Sequence, residues 1–95
     1  MTADTDIKLK IVTKMVRQPI VGNRKVTVDT AKSWVAKHDR GRAETLIRDM
    51  ITDPTDPIEA YGGSRDNIRL TSMQAGIDYI NDNGGNVPFG VGGGK

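Results

Sequence analysis

The stretch that decides the fold is DRGRAETLIRDMITDPTDP, residues 39–57. Its apolar residues recur three and four positions apart, which is the spacing of one face of an α-helix. Asp39 is a natural N-cap for this helix, and Pro54 and Pro57 prevent its continuation. We predict a helix from Arg40 to Ile51 with a buried stripe made of Ala43, Leu46, Ile47, Met50 and Ile51.

The opposite side of this helix is polar and carries arginines. At about 100° per residue, the positions farthest from the apolar stripe are Gly41, Thr45 and Arg48, with Arg42 on one shoulder. Two interpretations stay open. Either this surface contacts an anionic partner through its guanidinium groups, or it is a solvated face on which Glu44 and Arg48 form an i, i+4 pair.

The segment before this helix predicts a short strand and a second helix. A Gly-Asn turn at residues 22–23 precedes a strand-like run at residues 24–27. Thr27 is the N-cap candidate of a helix that ends near Lys37 or His38. Only a tight turn then separates this helix from the next one.

The N-terminal segment allows two interpretations. Apolar residues at helical spacing over residues 7–16 predict a first helix, with Asp4 or Asp6 at its start. The alternation of apolar residues with lysine over residues 7–11 also fits a half-buried strand. We favour the helix, which Pro19 ends.

A hairpin and a fourth helix follow the proline-rich break. The runs at residues 58–61 and 67–71 flank a glycine-containing loop and predict a β-hairpin. Thr71 and Gln74 match a capping box at the start of a helix that ends at Gly84. The inward residues of this helix are Met73, Ile77 and Ile80.

The chain is long enough for one hydrophobic core. Its 95 residues, 36% of them hydrophobic, predict a single domain over residues 1–83. Half of residues 84–95 are glycine, and this composition predicts a flexible tail. Within the tail, Val87, Pro88 and Phe89 are the candidate anchor to the domain.

The element order is helix, strand, helix, tight turn, helix, hairpin, helix. It predicts an α+β, mainly helical fold, namely a winged helix-turn-helix with a two-stranded wing and a C-terminal helix. In a helix-turn-helix the second helix of the pair enters the major groove of DNA, and the first crosses the backbone. The reading helix here is the one from Arg40 to Ile51.

Positive charge is concentrated in the half of the chain that contains this helix pair. Residues 1–50 carry eleven Lys/Arg against six Asp/Glu, whereas residues 51–95 carry three against six. The two halves therefore have net charges of +5 and −3. Such asymmetry is evidence about partners, and it favours an anionic partner for the first half.

The candidate DNA contacts follow from the chemistry of each side chain. Arginine grips guanine or phosphate at two points, a glycine lets backbone approach the duplex, and a threonine methyl group meets thymine. Cations before the second helix and on the hairpin contact phosphates and set the register. The candidate DNA-binding residues are Arg24, Lys25, Lys37, Arg40, Gly41, Arg42, Thr45, Arg48, Arg65 and Arg69.

Several short motifs resemble archaeal winged-helix DNA-binding proteins. They are DRGRAETLIRDM at residues 39–50, Tyr-Gly-Gly at 61–63, Ile-Arg-Leu-Thr at 68–71 and Gly-Ile-Asp-Tyr-Ile at 76–80. In that family, a strand ending in Arg-Leu-Thr leads into a helix with this glycine-led pattern. The chain is also similar to short winged-helix proteins of haloarchaea and their viruses. The resemblance implies a transcriptional regulator.

Other functional classes lack their residues in this sequence. The chain has no cysteine and one histidine, which excludes disulfides and thiolate sites. We expect no enzyme activity, cofactor, metal or small-molecule substrate. No apolar run approaches the length that spans a membrane, about 20 residues, so we expect a cytoplasmic protein.

We expect two copies to act together. In a homodimer, the first or the fourth helix pairs with its twin and sets two reading helices about 34 Å apart. The alternative is a winged helix used for protein interaction or virion assembly, without DNA binding, because a fold does not fix a function.

Overall fold

The computed structural model describes residues 3–87. They form an α+β arrangement of four helices and one three-stranded antiparallel sheet, which is compatible with a winged helix. A one-turn 3-10 helix, Lys37–Asp39, precedes the third helix. The elements are α1 (Asp4–Arg17), β1 (Val26–Thr27), α2 (Val28–Lys32), α3 (Arg40–Met50), β2 (Ile58–Tyr61), β3 (Ser64–Leu70) and α4 (Met73–Asp82).

The N-terminal segment is helical, so the helix interpretation is confirmed and the strand interpretation is wrong. The α1 helix buries one face, on which Ile7, Ile11, Val12, Met15 and Val16 lie. A strand would place Leu9 beside Ile7 and Ile11, but Leu9 is only partly buried and lies off the apolar face. Asp4 and Asp6 lie in the first turn of α1 as predicted, but Ala3 occupies the N-cap and no side chain caps the helix.

The second helix is shorter than the sequence predicts. Thr27 caps it, since Thr27 Oγ1 accepts a 3.0 Å hydrogen bond from the Thr30 backbone N–H. The helix ends at Lys32 and not near Lys37 or His38. The Ser33 hydroxyl donates to the Thr30 carbonyl at 2.6 Å, a local bond of the kind that competes with helix continuation.

The third helix closely follows its prediction. Its buried residues are Ala43, Leu46, Ile47 and Met50, while Ile51 is the C-cap. Asp39 occupies the predicted N-cap position of α3, but its side chain makes no cap hydrogen bond to this helix. Asp39 is also the last residue of the 3-10 helix. Its buried carboxylate lies 3.6 Å from His38 Nε2.

The sheet has β3 in its centre, between β1 and β2. The predicted hairpin is confirmed, but its loop is two residues long, because β3 begins at Ser64 and pairs with Tyr61. Gly62 and Gly63 have φ of 67° and 81°, as a type I′ turn requires. The register shifts between Ala60 and Tyr61, whose partners Ile68 and Ser64 are separated by residues 65–67, so the extra residues of this irregularity lie in β3.

The fourth helix starts one residue later than the predicted capping box implies. Ser72 Oγ accepts from the Ala75 backbone N–H at 3.0 Å, so Ser72 and not Thr71 is the N-cap. The Thr71 backbone N–H instead donates to the Pro57 carbonyl at 2.8 Å. At the other end, the Gly85 N–H donates to the Ile80 carbonyl, and the Schellman motif that forms there ends the helix.

One apolar core unites the helices and the sheet. The α1 helix packs mainly on α4 and also on α3, and α2 packs on α3. Val87 is partly buried against this core, whereas residues 88–95 of the predicted tail, including Pro88 and Phe89, lie outside the described residues. Among residues 3–87, no helix is long and apolar enough to cross a membrane.

Candidate nucleic-acid interface

The outward side of α3 lies next to the hairpin. Gly41 and Thr45 are exposed, and the Thr45 hydroxyl donates to the Gly41 carbonyl at 3.3 Å within the helix. Arg48, one turn further, is partly buried. All three positions lie on the side of α3 opposite its buried residues, so the prediction that they face away from the core is confirmed.

Arg48 joins α3 to the hairpin. Its Nε donates to Glu44 Oε2 at 3.2 Å, and its Nη2 donates to Asp66 Oδ1 at 3.1 Å. Its Nη1 donates to the Arg65 carbonyl at 3.4 Å. The hydrogen bonds that the Arg48 guanidinium donates to Asp66 and Glu44 raise its pKa. Arg48 therefore holds the hairpin beside α3, in addition to forming the predicted i, i+4 pair.

Glu44 also joins α3 to α2. Lys32 Nζ lies 2.9 Å from Glu44 Oε1 and 3.2 Å from Asp29 Oδ1. Hydrogen bonds from Lys32 and Arg48 lower the pKa of the Glu44 carboxyl. The Glu44 carboxylate thus pairs with one cation of α2 and one cation of α3 itself.

Arg42 does not extend freely from α3. Its Nε donates to Asp4 Oδ1 at 2.9 Å, and its Nη2 donates to Asp4 Oδ2 at 2.5 Å. This two-point contact lowers the pKa of the Asp4 carboxyl through hydrogen bonding, and raises the pKa of Arg42. The structure places Arg42 against the start of α1, where it ties α3 to the N-terminal helix.

Arg69 is held on the outer face of the sheet. Its Nε donates to Glu59 Oε2 at 2.7 Å, and its guanidinium carbon lies 4.9 Å from the centre of the Tyr61 ring. Its Nη1 also donates to the Gly22 carbonyl. Lys25 Nζ lies 5.6 Å from the same ring. Arg69 therefore links β3, β2 and the turn before β1, and the cation–aromatic contacts add to this link.

The remaining candidate cations are exposed. Within residues 3–87, Arg24, Lys37, Arg40 and Arg65 make no ion pair, although Arg40 Nη2 lies 3.5 Å from the Ser33 carbonyl. Lys37 and Arg40 are at the start of α3, and Arg65 is next to the hairpin turn. These side chains can bind an external anion without first losing a carboxylate partner.

Gly41 is not required by packing inside the chain. A Cβ at this position meets no atom within 4 Å. Gly41 therefore leaves a flat, open helix surface that another molecule can approach closely.

The sequence indicates only some of the carboxylates that restrain the arginines. Acidic neighbours could pair with Arg69, and the structure pairs it with Glu59. Glu44 has a local signal, because it lies four residues before Arg48 on the same helix. Asp4 and Asp66 are far from their partners along the chain, and only the packing of α1 and the hairpin on α3 brings them together. Their contacts therefore had no sequence signal.

Comparison of the chain with protein-family models, with curated proteins and with solved structures found no match to any of the three. The resemblance to archaeal winged-helix proteins therefore stays a prediction. Function has to be argued from the geometry and charge of this surface.

Proposed function

We propose that this protein binds double-stranded DNA and acts as a transcriptional regulator in the cytoplasm. In this proposal α3 enters the major groove and the hairpin contacts the sugar-phosphate backbone. The observation that carries it is the open strip formed by Gly41 and Thr45 on α3, next to a hairpin held in place by Arg48.

The chemistry of the strip suits base contacts. Arg40, at the start of α3, is exposed and presents a planar donor fork that fits guanine O6 and N7 or a phosphate. Gly41 has no side chain to separate the helix from the groove floor. Thr45, one turn later, offers a methyl group to thymine and a hydroxyl to a base edge or phosphate.

Phosphate contacts are assigned to the cations that no carboxylate holds. They are Lys37 and Arg40 before and at the start of α3, Arg65 on the hairpin, and Arg24 and Lys25 before β1. Each neutralised phosphate contributes about −0.9 to the slope of log affinity against log salt. Five such contacts give a slope of at most about −4.5.

One observation favours the alternative of an interaction or virion-assembly module that does not bind DNA. Four carboxylates bind three of the candidate cations: Asp4 binds Arg42, Glu44 and Asp66 bind Arg48, and Glu59 binds Arg69. These pairs reduce the positive charge that the surface presents. The alternative predicts no affinity for a duplex even at low salt.

The test measures binding to a labelled duplex of random sequence that is long enough for only one copy of the protein. Binding is followed by fluorescence anisotropy at increasing salt. The unaltered chain should bind at low salt and lose affinity along a straight log–log line. The Lys37→Ala/Arg40→Ala variant should reduce the magnitude of the slope by about 1.8, since two phosphate contacts are removed. Both side chains are exposed, so helical circular dichroism should stay unchanged.

The matched control is Lys10→Ala/Arg17→Ala, which removes the same charge from the outward face of α1. It should leave the slope unchanged. Absence of binding at low salt would refute the proposal and favour the alternative. Equal flattening by both double variants would show that net charge, and not the α3 surface, determines binding.

A further inference from the structure

The outward face of α1 forms a basic depression that the proposed DNA contacts do not use. Lys10, Lys14 and Arg17 line it together with Leu9 and Trp34. Lys10 and Arg17 are exposed, and none of the three cations forms an ion pair within residues 3–87. Leu9 and Trp34 are partly buried and supply an apolar floor.

The outward face of α4 forms an acidic depression. Asp78 and Asp82, both exposed, line it together with Pro57, Ala75 and Tyr79. Neither aspartate forms an ion pair within the described part of the chain, although Gln74 Nε2 donates to Asp78 Oδ1 at 2.8 Å. Burial, followed by the charge of Asp56, raises the pKa of the Tyr79 hydroxyl. This depression also has an apolar floor, with carboxylates in place of ammonium and guanidinium groups.

We infer that the basic depression of one copy binds the acidic depression of a second copy, so that copies associate head to tail. The charges at the two rims are opposite, so the rim side chains of one copy can pair with those of the other. The helices concerned lie in the two halves of the sequence that carry net charges of +5 and −3.

Symmetric pairing of either helix with its twin is disfavoured by the same charges. A symmetric contact centred on Lys14 and Arg17 of α1 would place these cations against their own copies, and one centred on α4 would oppose Asp78 to Asp82. Like charges placed together across an interface cost several kcal/mol. Head-to-tail association is therefore an alternative to the symmetric homodimer expected from the sequence, which stays a prediction.

Both depressions of one copy can be occupied at once. The α1 and α4 helices pack on each other through their buried faces, so their outward faces point in different directions. A head-to-tail contact between different surfaces forms a ring if its rotation closes and a filament if it does not. The outward strip of α3 takes no part in this contact, so the inference does not depend on DNA binding.

Charge reversal tests the inference, with association measured by analytical ultracentrifugation from micromolar to millimolar concentration. One variant is Lys14→Glu/Arg17→Glu, and the other is Asp78→Lys/Asp82→Lys. Each alone should associate at least tenfold more weakly than the unaltered chain, because each places like charges across the contact. An equimolar mixture should regain association, because each variant keeps the depression that the other has lost.

The Lys37→Glu/Arg40→Glu variant is the matched control, since it reverses two exposed cations on a different surface. It should associate like the unaltered chain. Conversely, the Lys14→Glu/Arg17→Glu variant should keep its affinity for a duplex that holds one copy. The two readouts therefore separate a failure of this inference from a failure of the DNA-binding proposal.

Four results would overturn the inference. The first is that the unaltered chain stays monomeric at millimolar concentration, because the two depressions then do not bind each other. Full association of the Asp78→Lys/Asp82→Lys variant would exclude the acidic depression as the partner. Loss of association on deleting residues 88–95 would identify the tail as the occupant. Weaker duplex binding by the Lys14→Glu/Arg17→Glu variant, with normal association, would make the basic depression a nucleic-acid surface.

Discussion

Replacement of Gly41 by alanine should change stability and DNA affinity in opposite directions. Gly41 is the second residue of α3, and a Cβ there meets no atom within 4 Å. Alanine removes part of the entropic penalty of glycine in a helix, so the free energy of unfolding should rise by about 0.5–1 kcal/mol. For a domain of this size the thermal midpoint should rise by about 2–8 °C.

The same methyl group should weaken DNA binding. It projects from the strip of α3 that we place nearest the groove floor, and extra volume at a close contact costs typically 1–3 kcal/mol. At the lower end of that range, the Kd should rise about fivefold, since 1.4 kcal/mol corresponds to a factor of ten. A destabilised protein cannot explain such a loss, because this variant is expected to be the more stable one.

Two measurements check this prediction: thermal unfolding followed by circular dichroism, and fluorescence anisotropy on the short duplex at a temperature where both proteins are folded. If Gly41→Ala is more stable and binds the duplex with unchanged affinity, α3 does not approach DNA at this residue. The assignment of α3 as the reading helix would then be refuted. A fall in stability would show that the open space around Gly41 is filled in solution.

Three further changes test the fold. Gly76→Ala should lower the free energy of unfolding by about 1–3 kcal/mol, because the added Cβ lies 2.7 Å from Cγ2 of the fully buried Val16. An unchanged urea midpoint would contradict this packing. Ser72→Ala should lower it by about 1 kcal/mol through loss of the α4 cap, and an unaltered urea curve would place the helix start elsewhere. Asp4 has a lowered pKa when folded because of Arg42, so its ion pair stabilises the protein at neutral pH and is lost as the pH falls through that lowered pKa. Asp4→Asn should therefore reduce the acid-induced decline in the urea midpoint, and parallel pH profiles for the two proteins would count against the pair.

The sequence predicted the helices whose burial is strongly periodic. The buried residues of α1 lie on one face of that helix, and those of α3 lie on one face of α3, so the sequence pattern itself identifies both helices. It failed for α2, where apolar residues continue to Val35 although the helix ends at Lys32. Val35 reaches the core from a turn, and periodicity cannot distinguish burial by a turn from burial by a helix.

The cap positions were harder to predict than the helices. Thr71 and Ser72 are both good N-cap residues, and the backbone bond from Thr71 to Pro57 decides between them. Likewise, the pairing of Arg42 with Asp4 depends on a contact between residues 38 positions apart. Such choices are made by tertiary packing, which a local pattern does not contain.

The hairpin position has a consequence for how a duplex would be selected. Arg48 holds the hairpin through Asp66 and the Arg65 carbonyl while staying bonded to Glu44 on α3. The spacing between helix and hairpin is thus set before any partner arrives, and little conformational entropy remains to be lost when a ligand docks. A DNA duplex would have to adapt its groove width to this fixed spacing. Sequences that deform easily would then be bound more tightly, even at base pairs that no side chain touches.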